Sequence, residues 1–222
     1  KSWSRSSKGS CRSCKENRHC KIIIHKMKKG IITQNNILSA AEEIFSEKGL
    51  YGARIDEIAE AAGCNKRMLY AHFGSKEGLY TAVLDSVYSR LSVVEEELLN
   101  KTLSPVETVR FYIKVLFNFL KDNPTFIKMV MWENLNEAKY MRMSKASSLK
   151  NASVKFLEKV LKKGIDEGLF KEEINIKEVI ISINMFCFSC FSNVYTMTTI
   201  FCIKIQSTLY SHARNITIPI YS

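Results

Sequence analysis

A chain of 222 residues, 46% of them hydrophobic, has apolar material enough for one large domain or two, which sets aside a polypeptide disordered throughout. Its formal charge of +11 is unevenly spread: residues 1–26 hold eight Lys/Arg against one acid, whereas residues 27–80 hold seven of each sign. The basic balance is thus a property of the leader and decides little about nucleic acid; an anion-binding face farther along must come from arrangement rather than bulk charge.

Residues 1–26 mix Ser, Lys, Arg and Cys without a helical or strand period and read as a disordered basic leader. Cys11, Cys14, His19 and Cys20 are zinc-ligand types, but the gap of four residues between the two pairs is shorter than the usual zinc-site loop. The apolar run at 22–24 is too short for a signal peptide. Met27, Lys28 and Lys29 look like a natural start, so what precedes them is expected to be upstream sequence.

A first helix is expected over residues 33–48, with Ile37, Ala40, Ala41, Ile44 and Phe45 on one face and Gly49 as its stop. Residues 54–76, RIDEIAEAAGCNKRMLYAHFGSK, then read as two short helices joined by a tight turn. Ile55, Ile58, Ala59 and Ala62 repeat at helical spacing, Gly63 ends that run, and Leu69, Tyr70 and Phe73 begin another. Asn65 is placed to cap the second of these helices, leaving Lys66, Arg67 and Met68 in its first turn. That pattern is a helix-turn-helix, whose second helix enters the major groove of DNA.

From residue 33 to about residue 84 the chain resembles the tetracycline-repressor (TetR) family of bacterial transcription regulators. The resemblance is carried by AEEIFSEKG in the first helix, IDEIAEAAG in the second, NKRMLYAHF in the recognition helix and GSKEGLYTAV at the start of a long fourth helix. It implies base contacts from Lys66, Arg67 and Met68 and phosphate contacts from Arg54, Tyr70, His72 and Lys76. It also implies a homodimer on a palindromic double-stranded operator, a cytoplasmic location and release by a small effector. The chemistry agrees: Arg and Lys donate to the guanine edge, Met offers apolar contact to a thymine methyl, and tyrosine, imidazole and ammonium groups donate to phosphate. The bland alternative has Tyr70 and His72 packing the small domain and Lys66 and Arg67 as solvated charges. Arg54 stands where the family commonly has a small hydroxyl residue, which leaves the capping of the second helix open. Lys28 and Lys29 are candidates for a backbone-contacting arm.

The fourth helix is capped by Ser75 and carries a stripe through Leu79, Val83, Leu84, Val87, Leu91, Val94 and Leu98. Ser104-Pro105-Val106-Glu107 is a capping box opening a fifth helix, which stops before Pro124. A sixth helix is expected over 124–135, a seventh over 137–167 ending at Gly168, and an eighth, capped by Asn175, over 176–201. The uncharged run 179–203 is long enough to cross a bilayer, but eight of its positions are Ser, Thr or Asn, which favours a subunit interface as well as a core. Phe188 and Phe191 are candidates to face the partner. The last twenty residues, β-branched and closed by Pro219, allow at most a short ninth helix at 207–215. Cys64, Cys187, Cys190 and Cys202 lie in or beside apolar helical segments and read as reduced core thiols.

The expected architecture is all-α: a leader at 1–26, a three-helix DNA-binding domain at 27–80, and a larger helical bundle at 81–222 for effector binding and dimerisation. Phe111, Tyr112, Phe119, Met129, Trp132, Tyr140, Met143 and Phe186 are the candidate lining of an effector pocket, each also readable as plain core. An apolar or aromatic effector, cationic in one version, suits that lining. An enzyme is disfavoured, because glycine-rich phosphate loops, nucleophile elbows and paired zinc histidines are missing and only His72 and His212 follow residue 26. No catalytic residue, metal site or cofactor is expected. A DNA-binding dimer that senses nothing, and a membrane-associated helical protein, are the other readings.

Overall fold

The computed structural model describes residues 18–99 and 102–202, with backbone alone over 18–33, 93–99 and 146–153. Among the described residues all ten elements are helices: α1 (Arg18–Gly52), α2 (Ile55–Ala61), α3 (Lys66–Phe73), α4 (Lys76–Leu99), α5 (Pro105–Asp122), α6 (Pro124–Leu135), α7 (Lys139–Met143), α8 (Ala146–Asp166), α9 (Ile176–Ser192) and α10 (Val194–Phe201). The all-α expectation therefore holds.

Ile37, Ala41 and Phe45 recur every four residues on α1 and are fully buried, so this stretch packs by one face as its period requires. Gly49, at φ 65°, interrupts the helix as expected. A Cβ there would also stand 2.8 Å from the Trp132 indole, so the residue is held to glycine by a neighbour as well as by its backbone. The helical backbone of α1 begins at Arg18, not at residue 33, so residues 18–26 depart from the disordered leader read from the sequence. Residues 1–17, with Cys11 and Cys14, and the tail from residue 203, with the short ninth helix, lie outside the described residues.

α4 runs from α3 into the body of the protein, where α5, α6, α7 and α8 pack against it and α9 packs on α5 and α8, and one apolar cluster continues from Ile37 and Leu69 at one end to Ile183 and Cys187 at the other. The capping box of α5 is formed: Ser104 Oγ accepts from the Glu107 N–H, and the Ser104 N–H donates to Glu107 Oε2 at 3.1 Å. The Ser104 hydroxyl, donating to the same Oε2 at 2.7 Å, and then the Ser104 backbone N–H hold the Glu107 carboxyl below its ordinary pKa.

Two expected helices are divided. The seventh begins late, because Glu137 and Ala138 are both left-handed (φ 55° and 56°), and it is then broken into α7 and α8 at Ser144, whose backbone is extended (φ −81°, ψ 148°). The eighth separates at Asn193 into α9 and α10, bent by 74°. Around that bend Asn193 Nδ2 donates to Ser189 Oγ, and Thr196 and Thr198 donate to the carbonyls of Asn193 and Val194. Side chains that offer the backbone such local bonds compete with a straight helix. No single helix among the described residues is long and apolar enough to cross a membrane, the bent pair α9 and α10 passing only jointly.

α1 is fastened to the body by α6 at two places. The Glu42 carboxylate, 7% exposed, takes both Arg90 Nη groups of α4 at 2.9 and 2.6 Å and the Thr125 hydroxyl of α6 at 2.5 Å. One helical turn farther along α1, Trp132 Nε1 donates to the Ser46 carbonyl at 3.1 Å.

Candidate DNA-binding site

The turn between α2 and α3 closes by backbone bonds. The Gly63 N–H donates to the Glu60 carbonyl at 3.0 Å and the Cys64 N–H to Ala59 at 2.9 Å. Asn65 is extended (φ −94°, ψ 156°), and its Oδ1 accepts from the Met68 N–H at 2.9 Å, the cap its position foretold. Leu69 is buried and Phe73 half-buried, which pins one face of α3 to the head.

At 100° per residue the side of α3 opposite Leu69 and Phe73 is centred on Arg67 and Ala71, with Met68 and Tyr70 flanking; all four are exposed. Lys66 falls nearer the packed side and turns to α2, where its Nζ lies 2.6 Å from Asp56 Oδ1. With both side chains largely in water this pair is worth at most about 1 kcal/mol, so it orients Lys66 without holding it from a phosphate. Ala71 is absent from the residues named from sequence. Its signal was its spacing, four residues after Arg67, but alanine carries no polar chemistry to draw notice. His72 is exposed on the flank, its ring 6.1 Å from that of Phe73.

Gly74 ends α3, Ser75 Oγ accepts from the Gly78 N–H at 2.9 Å, and half-buried Lys76 opens α4 at the foot of the reader. Arg54 precedes α2 in an extended conformation and gives it no side-chain cap. Lys28 and Lys29 lie on the helical backbone of α1, with side chains outside the description. Arg67, Met68, Tyr70, His72 and Lys76 are thus carried by α3 and the first residue of α4.

The eight aromatic and Met residues chosen as a pocket lining are not gathered around one point. Met143 is 70% and Phe186 43% exposed, so both lie on the surface. Phe119 stacks on Phe126, Met129 is fully buried, and Tyr112 donates to Asn184 Oδ1 at 3.2 Å, with Phe111 half-buried beside them on α5. Trp132 faces Gly49 and Tyr140 packs on Tyr80, both toward the junction with α1 and α4. Phe188 and Phe191, candidates to face a partner, are both half-buried, and the Phe191 ring meets that of Phe117 with centroids 4.8 Å apart. Burial pushes the Cys187 thiol up to about 12 and raises Cys190 as well, which suits inert core thiols. Among the described residues no group of three His, Cys, Asp or Glu is placed to hold a metal.

A capped reader helix presenting Arg67 on a rigid three-helix head defines a helix-turn-helix DNA-binding protein. Residues 37–83 match the family model of bacterial regulatory proteins of the tetR family, and residues 105–218 match the tetracyclin repressor-like C-terminal domain. The chain belongs to the TetR family of transcriptional regulators, and it is a DNA-binding regulator rather than an enzyme. It is 31% identical over 168 residues to the transcriptional repressor NicS of Pseudomonas putida, covering 75% of this chain and 79% of the relative. Its fold is similar to that of SCO4942 from Streptomyces coelicolor, with a TM-score of 0.65 at 22% identity over 82% of this chain and 94% of the other. FadR from Bacillus subtilis, solved in complex with stearoyl-CoA, gives a TM-score of 0.61 at 19% identity over 81% and 93%.

Proposed function

We propose that this regulator is a homodimeric repressor that reads a palindromic operator with α3 and leaves it when a small effector binds between the helices of its body. The observation that carries the reading is the outward face of α3, where Arg67 and Ala71 stand opposite the buried Leu69. Arg67 donates to a guanine edge, Met68 and Ala71 supply apolar contact, and Tyr70, His72, Lys76 and Arg54 take phosphates. Lys66 shares its charge between Asp56 and the backbone of the site. The name of the NicS relative supports repression, and the acyl-CoA in the FadR complex supports a sensing body. A regulator of this kind works in the cytosol, where the DNA is.

Arg67→Ala is expected to weaken operator binding by about 1–3 kcal/mol and relax base preference at one position per half-site. Lys76→Ala should weaken all sequences alike and make the salt dependence shallower. Fluorescence anisotropy on operator and random duplexes separates the two, and equal losses on both duplexes for Arg67→Ala would remove its base-reading role.

The dimer places two α3 helices about 34–36 Å apart on the site. Its contact surface is drawn from α9 and α10, where Ile181, Met185, Tyr195 and Ile200 are exposed. Met185→Glu is therefore expected to give monomers by light scattering, whereas Phe191→Leu, changed beneath the surface against Phe117, should leave the dimer intact. A Met185→Glu protein that stays dimeric places the interface elsewhere.

A body that only dimerises is the alternative reading. It is favoured if compounds that raise the melting temperature never change DNA affinity.

A further inference from the structure

Where α4, α6 and α7 meet, the core contains polar atoms that the protein leaves without partners. Glu133, 4% exposed on α6, accepts the Met141 N–H of α7 at Oε2, 2.8 Å away, but its Oε1 makes no hydrogen bond. The Tyr80 hydroxyl on α4, at 0% exposure, makes none either. Burial first, and then the Glu133 charge and a weak hydrogen-bonding contact with it, push the Tyr80 phenol upward, so the two groups face each other at close range without completing a full hydrogen bond. Burial and Glu133 also push the Tyr88 phenol up to about 12, so Tyr88 belongs to the same neighbourhood. The rings of Phe45 and Tyr140 stand edge-on to Tyr80, at centroid distances of 5.1 and 5.4 Å.

A half-satisfied carboxylate in such surroundings is costly, and a closed core would be expected to replace it or bond it fully. After burial, Glu133 raises Tyr80 and Tyr88, whereas Tyr140 is raised first by its hydrogen bond with Tyr51 and by burial, with smaller contributions from the Glu77 and Glu133 charges. Lys139 Nζ lies 5.2 Å from the Tyr140 ring centroid, on an exposed residue of α7. The electrostatic bias inside is therefore toward a cation, and the walls are aromatic faces that attract one.

We infer that Glu133 and Tyr80 form a recognition subsite for a protonated amine or cationic N–H group carried on an apolar body. The ammonium donates to Glu133 Oε1 and to the Tyr80 oxygen, while Phe45, Tyr88 and Tyr140 enclose its carbon neighbours. This rests on the effector-sensing reading and names the chemical class of the effector. The subsite adjoins the machinery that would respond: Glu133 follows Trp132, which holds α1 at Ser46, and Tyr80 lies on the helix that grows out of α3.

The test titrates the full-length chain at neutral pH with three probes of one length, decylamine, 1-decanol and decanoate, followed calorimetrically. Decylamine is expected to bind about 10-fold or more tightly than either of the others, the scale of one charge-assisted hydrogen bond. Tyr80→Phe should erase most of that preference and leave decanol binding unchanged. It should change the melting temperature little, because it removes a buried hydroxyl that makes no full hydrogen bond. Glu133→Gln should behave alike for the amine, although its bond to Met141 makes Tyr80→Phe the cleaner variant. Decanoate binding as tightly as the amine, no amine binding up to about 1 mM, or an unchanged amine affinity in Tyr80→Phe overturns the subsite. Parallel anisotropy on the operator keeps the two ideas apart. Amine binding without release of DNA refutes the sensor but not the subsite; release by decanoate, undisturbed in either variant, refutes the subsite but not the sensor.

Discussion

Arg90→Ala is expected to lower stability by about 2–3 kcal/mol, because it strands the Glu42 carboxylate in the junction between α1, α4 and α6. Breaking a fully buried pair costs about 3–5 kcal/mol, and the smaller figure follows from the Arg90 side chain being 42% exposed, so that water already screens part of the attraction. In a chain of this length the loss corresponds to a melting temperature lower by roughly 5–10 °C. Thr125→Val removes one neutral donor to the same carboxylate and should cost about 1 kcal/mol. Replacing both charges, with Glu42→Leu and Arg90→Met together, should regain most of the loss, since no charge is then left buried alone. Thermal unfolding followed by circular dichroism checks all three. If Arg90→Ala melts with the parent, the bidentate pair contributes no more than an ordinary surface ion pair.

The second large effect lies at the joint between α3 and α4. A Cβ on Gly78 would stand 2.2 Å from the Phe73 carbonyl oxygen, a backbone atom that can retreat only by unwinding the end of the reader helix. Gly78→Ala is therefore expected to destabilise by about 1–3 kcal/mol, even though alanine is the better helix former by about 1 kcal/mol, and Gly78→Val by more. Operator affinity should fall with it, because Arg67 is displaced along with α3. Ser75→Ala, which removes only the cap on the Gly78 N–H, should cost about 1 kcal/mol and leave DNA affinity nearly intact. A Gly78→Ala protein more stable than its parent would show that the joint has slack that the contact distance denies.

The reading head was legible in the sequence because its information is local. Gly63, Asn65 and Ser75 act through their own backbone and that of residues within four positions, so their chemistry can be named before the fold is known. The capping box at Ser104 was legible for the same reason. The turn between α6 and α7 was hidden, because a left-handed Glu137 and Ala138 are imposed by what surrounds them and neither residue type signals it. Asn193 did carry a signal, being a helix competitor amid Ser and Thr, but the apolar run around it argued for continuity.

The body was harder to read for a different reason. Phe119 and Met129 have the composition of a ligand lining, and only packing shows that Phe126 and the core occupy their surfaces. The contact of Phe191 with Phe117 could not be foreseen, because α9 is apolar nearly all round and its period does not say which side meets α5. Glu133 drew no notice at all: a glutamate two residues before the end of a short helix reads as a solvated charge, and its burial depends on α7 folding back to give it the Met141 N–H.

The two fastenings between α1 and α6 bear on anyone who would exchange the parts of this regulator. A chimera cut after α3 would carry away Glu42, Ser46 and Gly49 while leaving Arg90, Thr125 and Trp132 with the old body. The transplanted head would arrive with a carboxylate made for burial and a bare glycine facing a side chain for which it has no match. A graft that keeps its grip on the new body has to move α6 and the Arg90 segment of α4 together with the head, so the unit of exchange is discontinuous in sequence.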